Sequence, residues 1–443
     1  MRILISAGEA SGEMYGAQLI AALRRQLATC GNTGISPVSA ENLSGDSLRC
    51  ADGITRATHI QAAQSQIEFF GVGGEKMRAA GCDLIVDAKD LAVVGITEIL
   101  SHLPKIWGLF HKLIAEAERR PPDLAIVIDS PAFNWRVARE MKKRRVPVVY
   151  YVCPQFWAWR QGRVRLLRKY VDKALVIFPF EEKFFGDRGV QAEFVGHPLA
   201  DVTHPAISRQ DYAAKYGLDP ARHWITLMPG SRRKEVRMNL PAILDAVNLF
   251  GADYEFLLPV APTLDSDFVN GVLRSHPSNT AKSASPAAFL RLVPDASPAL
   301  AHSRAGIIAS GTATVEAAMM ETPFVMVYRV TPLTYLLGRW TVKVPHFAMV
   351  NLIAGEEIVP ELVQRDFTGE RVTAELNKII PDGGPRQQMI QGLRRVKESL
   401  RGNEQGPGAD RAARAICNFL HSLQRGSASI PGSGSRAFES RKI

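Results

Sequence analysis

Short apolar runs alternate with helical patterns along the first 200 residues of the chain. The apolar runs predict strands at Ile3–Ser6, Glu68–Val72, Leu84–Val86, Leu124–Asp129, Val146–Val152, Lys173–Phe178 and Glu193–Val195. Between them, helical patterns cover Gly12–Leu27, Glu75–Ala80, Glu98–Ala117, Asn134–Arg145 and Gly162–Tyr170. Strands that alternate with helices indicate a parallel, doubly wound sheet.

A second unit of the same kind follows residues 196–205 and predicts strands at Trp224–Met228, Tyr254–Leu258, Phe289–Val293, Ala305–Ala309 and Phe324–Tyr328. We therefore expect an α/β fold in which two Rossmann-like domains face a cleft, with ligands bound at the carboxyl ends of the strands. We predict an N-terminal domain over 1–200, with a surface insertion at 31–66, and a C-terminal domain over 201–384. Helices over 385–425 are expected to pack back onto the first domain or to exchange between chains. The tail over 426–443 is expected to be disordered.

The composition is that of a folded globular protein with a basic balance. Hydrophobic residues make up 46% of the chain, and 54 Lys+Arg against 44 Asp+Glu give a net charge of +10. This charge suits a polyanionic partner, a phosphorylated substrate, an anionic membrane surface or solubility alone, and it does not choose among them. The five cysteines form no CxxC motif, which indicates reduced thiols of a cytosolic protein. No apolar run approaches the roughly 18 residues of a spanning helix, so we expect a protein that is soluble or lies on a membrane.

Two glycine-rich turns lie where strands of the first unit end. The turn GEASGE contains Gly8, Glu9, Ser11, Gly12 and Glu13, and the turn GVGGEKM contains Gly73 and Gly74. Glycines allow close backbone approach, and free N–H groups at the start of a helix favour anions. The alternative is plain helix capping, with Ser11 as the N-cap. Two such turns on one edge favour a ligand that bears phosphate.

Asp129 ends a fully apolar strand and precedes Ser130-Pro131. A carboxylate with an apolar floor has a raised pKa and suits a general base; the alternative is an Asp that caps the next turn. The following segment, residues 150–163, holds five aromatic residues followed by two arginines. We interpret part of it as core and the rest as a wall of the cleft. The aromatic residues are Tyr150, Tyr151, Phe156, Trp157 and Trp159.

The second unit contains two turns of the kind that holds a nucleotide. Gly230-Ser231-Arg232 joins a helix N-terminus to a guanidinium, as a pyrophosphate site does. Ser310-Gly311-Thr312 opens another helix after an apolar strand, and Glu316, one turn further on, can hold the ribose hydroxyls. Glu316 as an exposed helix charge is the alternative. Asp265 and Asp267 resemble a metal-binding DxD motif, but we interpret them as charges at a helix start, and no group has metal-ligand spacing.

The segment ITEILSHLPKIWGLFHKLIAEAERR combines a broad apolar stripe with Pro104 and flanking lysines. A core helix is the usual interpretation of such a stripe. An aromatic and basic helix also suits insertion at a lipid interface. The residues that we expect at the lipid are Ile99, Leu100, Leu103, Ile106 and Trp107.

Ten segments, in this order and over about residues 1 to 400, resemble the lipid-A-disaccharide synthase family. They are GEASGE, GVGG, LAVVGITEIL, IDSPAFN, CPQFWAWR, FPFE, GHPLAD, MPGSR, ASGTATVE and VNLIAGEEIVPEL. The resemblance implies a GT-B fold without metal or other cofactor, peripheral on the cytoplasmic face of the inner membrane. It implies transfer of 2,3-diacylglucosamine from its UDP carrier to 2,3-diacylglucosamine 1-phosphate (lipid X), with inversion, to form the β-1,6-linked disaccharide of lipid A. It also implies that Asn351 lies beside the donor.

The chain departs from the family pattern at two positions. Glu13 stands where the family often has Asp, and Ala132 stands where the family has a second carboxylate, which leaves Asp129 as the only base candidate of its loop. Two alternatives stay open. One is another GT-B enzyme, either a different UDP-sugar transferase or a UDP-sugar epimerase. The other is a basic nucleic-acid-binding protein, although no RNP, KH or helix-turn-helix pattern is present. Whether the chain forms a homodimer is also open.

Overall fold

A computed structural model describes residues 1–30, 67–91, 96–201, 204–251, 253–277, 290–332, 334–336, 344–402 and 406–428. Within these ranges, the side chains of residues 10, 28–30, 96–103, 159, 424 and 426–428 are not described. The predicted insertion at 31–66 lies wholly outside these residues, as does the predicted tail from residue 429 onward. Within them, two all-parallel sheets are covered by helices, which confirms the predicted α/β fold class.

The first sheet has seven parallel strands in the order β3-β2-β1-β4-β5-β6-β7. The chain therefore reverses its direction of travel across the sheet between β1 and β4, which is the switch point of a doubly wound fold. The strands are β1 (Arg2–Ala7), β2 (Glu68–Gly73), β3 (Cys82–Asp87), β4 (Leu124–Ile128), β5 (Val148–Tyr151), β6 (Lys173–Val176) and β7 (Ala192–Phe194).

The second sheet has six parallel strands in the order β10-β9-β8-β11-β12-β13, with its switch point between β8 and β11. Its edge strand β13 was not predicted. The strands are β8 (His223–Met228), β9 (Tyr254–Pro259), β10 (Leu290–Val293), β11 (Ala305–Ala309), β12 (Phe324–Tyr328) and β13 (Glu361–Val363).

The described residues also form sixteen α-helices. They are α1 (Ala10–Cys30), α2 (Glu75–Ala79), α3 (Ile96–Arg119), α4 (Pro131–Lys143), α5 (Phe156–Trp159), α6 (Val164–Tyr170), α7 (Pro179–Gly186), α8 (Arg209–Tyr216), α9 (Arg233–Val247), α10 (Ser266–Arg274), α11 (Ala296–His302), α12 (Thr312–Met319), α13 (Met349–Ala354), α14 (Gly369–Ile379), α15 (Gly384–Arg401) and α16 (Gly408–Ala428).

Alternation along the strands divides the core of the first domain between the two faces of its sheet. In β4, Leu124 and Ile126 join the core on the α1 face, whereas Ala125 and Val127 join the core beneath α3 and α4. Successive side chains of a strand point to opposite faces, so an apolar strand supplies both cores. This is why the strands of this sheet read as continuous apolar runs.

The chain crosses between the domains twice, and the two crossings are hydrogen-bonded to each other. The N–H of His197 donates to the carbonyl oxygen of Leu400 at 2.9 Å, and Nε of Arg411 donates to the carbonyl oxygen of Val195 at 2.8 Å. After the second crossing, α16 packs against α1 of the same chain. The exact domain limits and exchange of these helices between chains stay predictions. The helix continues to Ala428, three residues into the predicted tail.

Candidate functional site

Asp129 and Ser130 form a left-handed turn, and the side chain of Asn134 holds this turn by hydrogen bonds. The two residues have φ angles of 48° and 43°, which L residues rarely adopt. Nδ2 of buried Asn134 donates to the carbonyl oxygens of Ile128 and Asp129, at 2.8 Å each. Its Oδ1 accepts from Oγ of Ser6 at 2.7 Å. One amide therefore joins β1, β4 and the turn at the switch point of the first sheet.

The GEASGE turn packs directly against this turn. A Cβ at Gly8 would lie 2.5 Å from Oγ of Ser130, so only glycine lets the loops after β1 and β4 approach this closely. Helix α1 begins at Ala10, so Ser11 lies exposed in its first turn and is not the N-cap. Gly12 is buried against the end of β4. The structure thus brings the GEASGE turn together with Asp129.

The GVGG turn lies one strand further away, and Glu13 reaches it from α1. Oε1 of Glu13 accepts from the N–H of Lys76 at 2.8 Å, in the first turn of α2. A Cβ at Gly74 would lie 2.5 Å from the Glu13 carboxyl carbon, and a Cβ at Gly73 would lie 2.5 Å from the sulfur of Met77. Contacts within the protein therefore account for the sizes of Glu13, Gly73 and Gly74.

The pKa of Asp129 is raised to about 6, by burial first and by the negative charge of Glu9 second. The N–H of Ser130 and the positive charge of Arg232 lower the pKa of Asp129. Arg232 belongs to the second domain, and its charge is close enough to Asp129 to lower that pKa. A carboxylate with a pKa near neutrality can accept a proton in this range.

The loop after β8 is held in the same way as the loop after β4. Nδ2 of Asn239, buried in α9, donates to the carbonyl oxygen of Pro229 at 2.8 Å, and its Oδ1 accepts from the N–H of Arg329 at 3.0 Å. Oγ1 of Thr263 donates to the carbonyl oxygen of Ser231 at 2.6 Å. These bonds fix the loop at the N-terminus of α9.

The Arg232 side chain is 75% exposed and forms an ion pair with Glu235, in the first turn of α9. The N–H groups of Ser231 and Arg232 both donate to Oε2 of Glu235, at 3.0 Å and 3.2 Å. In the loop that the sequence predicts to bind an anion, a carboxylate of the same chain therefore accepts from the amides.

Ser310 lies at the end of β11, beside the loop after β8. Its Oγ donates to the carbonyl oxygen of Phe347 at 2.7 Å. Gly311 has a φ of 135° and precedes Thr312, the first residue of α12. Since β8 and β11 are neighbours in the sheet, the two predicted loops meet at one edge.

Glu316 faces the region between the two domains. Burial raises the pKa of its carboxyl to about 6, and within the described residues this carboxylate makes no hydrogen bond or ion pair. The hydroxyl of Tyr15, on α1 of the first domain, has a raised pKa because of burial and because of the charges of Asp129 and Glu316. Carboxylates from both domains therefore lie around Tyr15. A half-buried carboxylate without a protein partner among the described residues is suited to ligand hydroxyls.

Asn351 is fully buried, and both ends of its amide are hydrogen-bonded within the protein. Nδ2 donates to Val359 O and Glu361 Oε1, at 2.9 Å each, and Oδ1 accepts from Ile358 N and Val359 N. A direct contact with a ligand would require these bonds to break. The structure instead links Asn351 through Glu361 to the N–H of Phe347, 2.8 Å from Oε2 of Glu361.

The aromatic segment after β5 is core rather than a wall of the cleft. Phe156 and Trp157 are buried, as are Tyr150 and Tyr151, and the Trp159 side chain is not described. Nε1 of Trp157 donates to Oε1 of buried Glu181 at 2.8 Å. Burial raises the pKa of Glu181 to about 7, against the effect of this hydrogen bond. The interpretation as a cleft wall was wrong for these four aromatic residues.

Helix α3 presents both core and exposed apolar residues in its described part. Phe110 is buried and Ile106 is half-buried against the same core, whereas the Trp107 side chain is 52% exposed. The side chains of Ile99, Leu100 and Leu103 lie outside the described residues. Among the described residues, no helix is long and apolar enough to cross a membrane.

Among the described residues, no three His, Cys, Asp or Glu side chains are grouped as metal ligands would be. Asp265 is the N-cap of α10, and its Oδ1 accepts from the N–H of Asp267 at 2.9 Å. The interpretation of this DxD pair as helix-start charges is confirmed.

Four residues that organise the site were not selected from the sequence: Asn134, Asn239, Glu235 and Glu361. Asn239 had a signal, because it is a polar residue on the apolar stripe of α9. Glu235 also had a sequence signal, since a Glu three residues after a helix N-cap can accept from the backbone N–H of the N-cap residue. Asn134 and Glu361 act through contacts with distant segments, which a sequence does not display.

Comparisons with known sequences agree over nearly the whole chain. The family model described as Lipid-A-disaccharide synthetase matches residues 35–410. The lipid-A-disaccharide synthase of Koribacter versatilis is 48% identical over 417 residues, which are 94% of this chain and 98% of that protein. The lipid-A-disaccharide synthase of Acidobacterium capsulatum is 44% identical over 428 residues, which are 96% of each chain.

Solved structures share the fold at low sequence identity. The glycotransferase of kitacinnamycin superposes with a TM-score of 0.57 at 13% identity, covering 94% of this chain and 98% of the other. The UDP-GlcNAc 2-epimerase of Neisseria meningitidis bound to UDP-GlcNAc gives 0.54 at 11% identity, covering 95% and 100%. At these identities the likeness shows the fold alone, which is the two-domain GT-B architecture.

Replacement of Asn134 by alanine should destabilise the first domain strongly. It removes the partner of Ser6 Oγ and two hydrogen bonds that hold the turn, and each buried group left unsatisfied costs roughly 1–3 kcal/mol. We expect a loss of about 2–4 kcal/mol in the free energy of unfolding, measured by urea denaturation. The matched control is Asn270→Ala, at a half-buried asparagine in α10. Equal, small losses in both variants would contradict the role of Asn134.

Proposed function

The chain belongs to the lipid-A-disaccharide synthase family, and we propose that Asp129, Arg232 and Glu316 perform its glycosyl transfer across the cleft. The enzyme is a GT-B glycosyltransferase of lipid A biosynthesis with a UDP-sugar as donor. The finer assignment is that the sugar is 2,3-diacylglucosamine and that the acceptor is lipid X. The observation that carries the site assignment is the placement of the three side chains, which follow β4, β8 and β11 at the switch points of the two sheets.

The donor nucleotide fits the second domain. The loop at Ser231 and Arg232 supplies a helix N-terminus and an exposed guanidinium for the diphosphate. Glu316, half-buried and without a partner among the described residues, suits the ribose hydroxyls. Ser310–Thr312 lies between these two sites. Asn351 has an indirect role, because it positions Phe347 and Ala348 through Glu361.

The chemical step needs a base on one side and charge stabilisation on the other. Asp129 takes the proton from the 6′-hydroxyl of the acceptor as the oxygen attacks the anomeric carbon. The bond from that carbon to the diphosphate breaks on the opposite face, so the configuration inverts. The negative charge that develops on UDP is stabilised by Arg232 and by the helix dipole, which is the kind of interaction that lowers such a barrier most.

The first domain supplies the acceptor side. The GEASGE turn contacts the Asp129 turn through Gly8 and Ser130, and Glu9 lies close enough to raise the pKa of Asp129. The acceptor 1-phosphate carries negative charge, so its binding also raises this pKa. In this arrangement the acceptor lies over the ends of β1 and β4.

The acyl chains of both substrates require access to a lipid surface. Trp107 is exposed on α3, and the exposed Lys105 and Lys112 lie on another face of the same helix, with Lys105 in an ion pair with Asp90. An exposed tryptophan on a helix that also carries lysines suits the interface of an anionic membrane. We propose that this end of α3 contacts the cytoplasmic face of the inner membrane, which brings acyl chains to the first domain.

Asp129→Asn should abolish most turnover while the donor still binds. Asparagine keeps the shape of the side chain but does not accept the proton, and loss of a general base costs about 10²–10⁴ in rate. UDP affinity, measured by calorimetry, should stay near the wild-type value because the nucleotide contacts lie in the other domain. Loss of UDP affinity together with turnover would make Asp129 structural, and full activity would place the base elsewhere.

The acceptor kcat/KM should fall at acid pH. Asp129 acts as its carboxylate, and because burial raises its pKa to about 6, the active form is lost as the pH drops below that value. We expect about a tenfold decrease per unit below pH 6, measured at saturating donor. Since Glu316 has a similar pKa, the affinity for UDP is measured in parallel. A flat kcat/KM between pH 7 and 5 would contradict the assignment.

Trp107→Ser should weaken binding to vesicles and leave the fold intact. The side chain is 52% exposed, so its loss removes little from the core. We expect several-fold weaker cosedimentation with vesicles of phosphatidylethanolamine and phosphatidylglycerol, with an unchanged melting temperature. The control is Leu249→Ser, at a side chain that is 54% exposed in the second domain. Equal vesicle binding by both variants would contradict the contact.

A further inference from the structure

The carboxylate of Glu235 lies where the proposed donor site needs to bind an anion. Its Oε2 accepts from the N–H groups of Ser231 and Arg232, at 3.0 Å and 3.2 Å, and its Oε1 accepts from Nη1 of Arg232 at 3.1 Å. A Cβ at Gly230, which has a φ of 128°, would lie 2.5 Å from Cβ of Glu235. The glycine therefore leaves the space in which this side chain lies.

A phosphate group and this carboxylate compete for the same donors. The two amides and the guanidinium form one compact positive region. A phosphate group placed there would be repelled by the Glu235 carboxylate, because the two anions would lie only a few ångströms apart. Glu235 is only partly buried, with 29% of its side chain exposed, and Arg232 is 75% exposed. Both side chains can therefore move into solvent at small cost, since exposed ion pairs contribute little.

We propose that Glu235 is an internal competitor of the donor diphosphate. In the empty site it satisfies the amides of Ser231 and Arg232 and neutralises the guanidinium; donor binding displaces it, and its return helps UDP to leave. It is thus a specificity-determining residue that weakens the binding of phosphate groups at this loop. This inference rests on the proposed donor site at Ser231 and Arg232.

A purely structural role for Glu235 predicts different behaviour. As the third residue of α9 it accepts from the backbone N–H of the N-cap residue Arg232, which is one half of a capping box, and glutamine performs that task as well as glutamate. If Glu235 acts only as a cap, Glu235→Gln binds UDP like the wild type. If it competes as an anion, the neutral amide is displaced more easily and leaves Arg232 free for phosphate.

The test is calorimetric titration of the full chain and its variants with UDP and with uridine. We expect Glu235→Gln to bind UDP about three- to tenfold more tightly than the wild type, from the loss of one exposed ion pair. Affinity for uridine, which has no phosphate, should not change. The control is Asp265→Asn, which neutralises the N-cap of α10 in the same domain and should leave both affinities unchanged. Melting temperatures verify that each variant is folded.

Three results would overturn the inference. UDP affinity in Glu235→Gln that is equal to or weaker than wild type leaves only the capping role. An equal gain for UDP and uridine removes charge competition as the cause. A parallel titration of Arg232→Ala separates these results from a failure of the donor site: unchanged UDP affinity in that variant overturns the assignment of the diphosphate to this loop, whereas a loss retains it.

Discussion

The hydrogen bonds of Asn134 are the interaction on which the site depends. This buried amide ties Ser6 at the end of β1 to the carbonyl oxygens of Ile128 and Asp129 at the end of β4. Two consecutive residues with positive φ are costly, and such a turn persists only where the surrounding structure determines it. The turn points Asp129 at the cleft over an apolar floor, and that burial raises its pKa toward neutrality.

In the second domain, a buried asparagine also anchors the loop at the switch point of the sheet, but that loop carries an arginine rather than an aspartate. Asn239 ties the loop after β8 to the chain that follows β12, as Asn134 ties the loop after β4 to β1. In both sheets the anchored loop lies at the switch point, where neighbouring helices leave a crevice. The anchored residue is a carboxylate in the first domain and a guanidinium in the second. In the proposed mechanism, two similar units therefore supply the two opposite charges that the glycosyl transfer requires.

Most of the fold could be predicted from the sequence because parallel strands that are buried on both faces are continuous apolar runs. Twelve of the thirteen strands correspond to predicted ones, whereas β13, Glu361–Val363, is three residues long and has a charged first residue. The aromatic segment after β5 was misjudged, since tyrosine and tryptophan are typical both of cores and of binding walls. The hydrogen bonds of Asn351 with residues 358–361 depend on tertiary contacts that spacing does not reveal.

In the proposed mechanism, donor and base meet between the switch points of the two sheets. A crystal structure of the chain with UDP tests this most directly. We expect the diphosphate within hydrogen-bond distance of the amides of Ser231 and Arg232, the ribose hydroxyls on the carboxylate of Glu316, and the β-phosphate directed toward Asp129. UDP bound away from this loop, or bound with its β-phosphate directed away from the first domain, would contradict the claim.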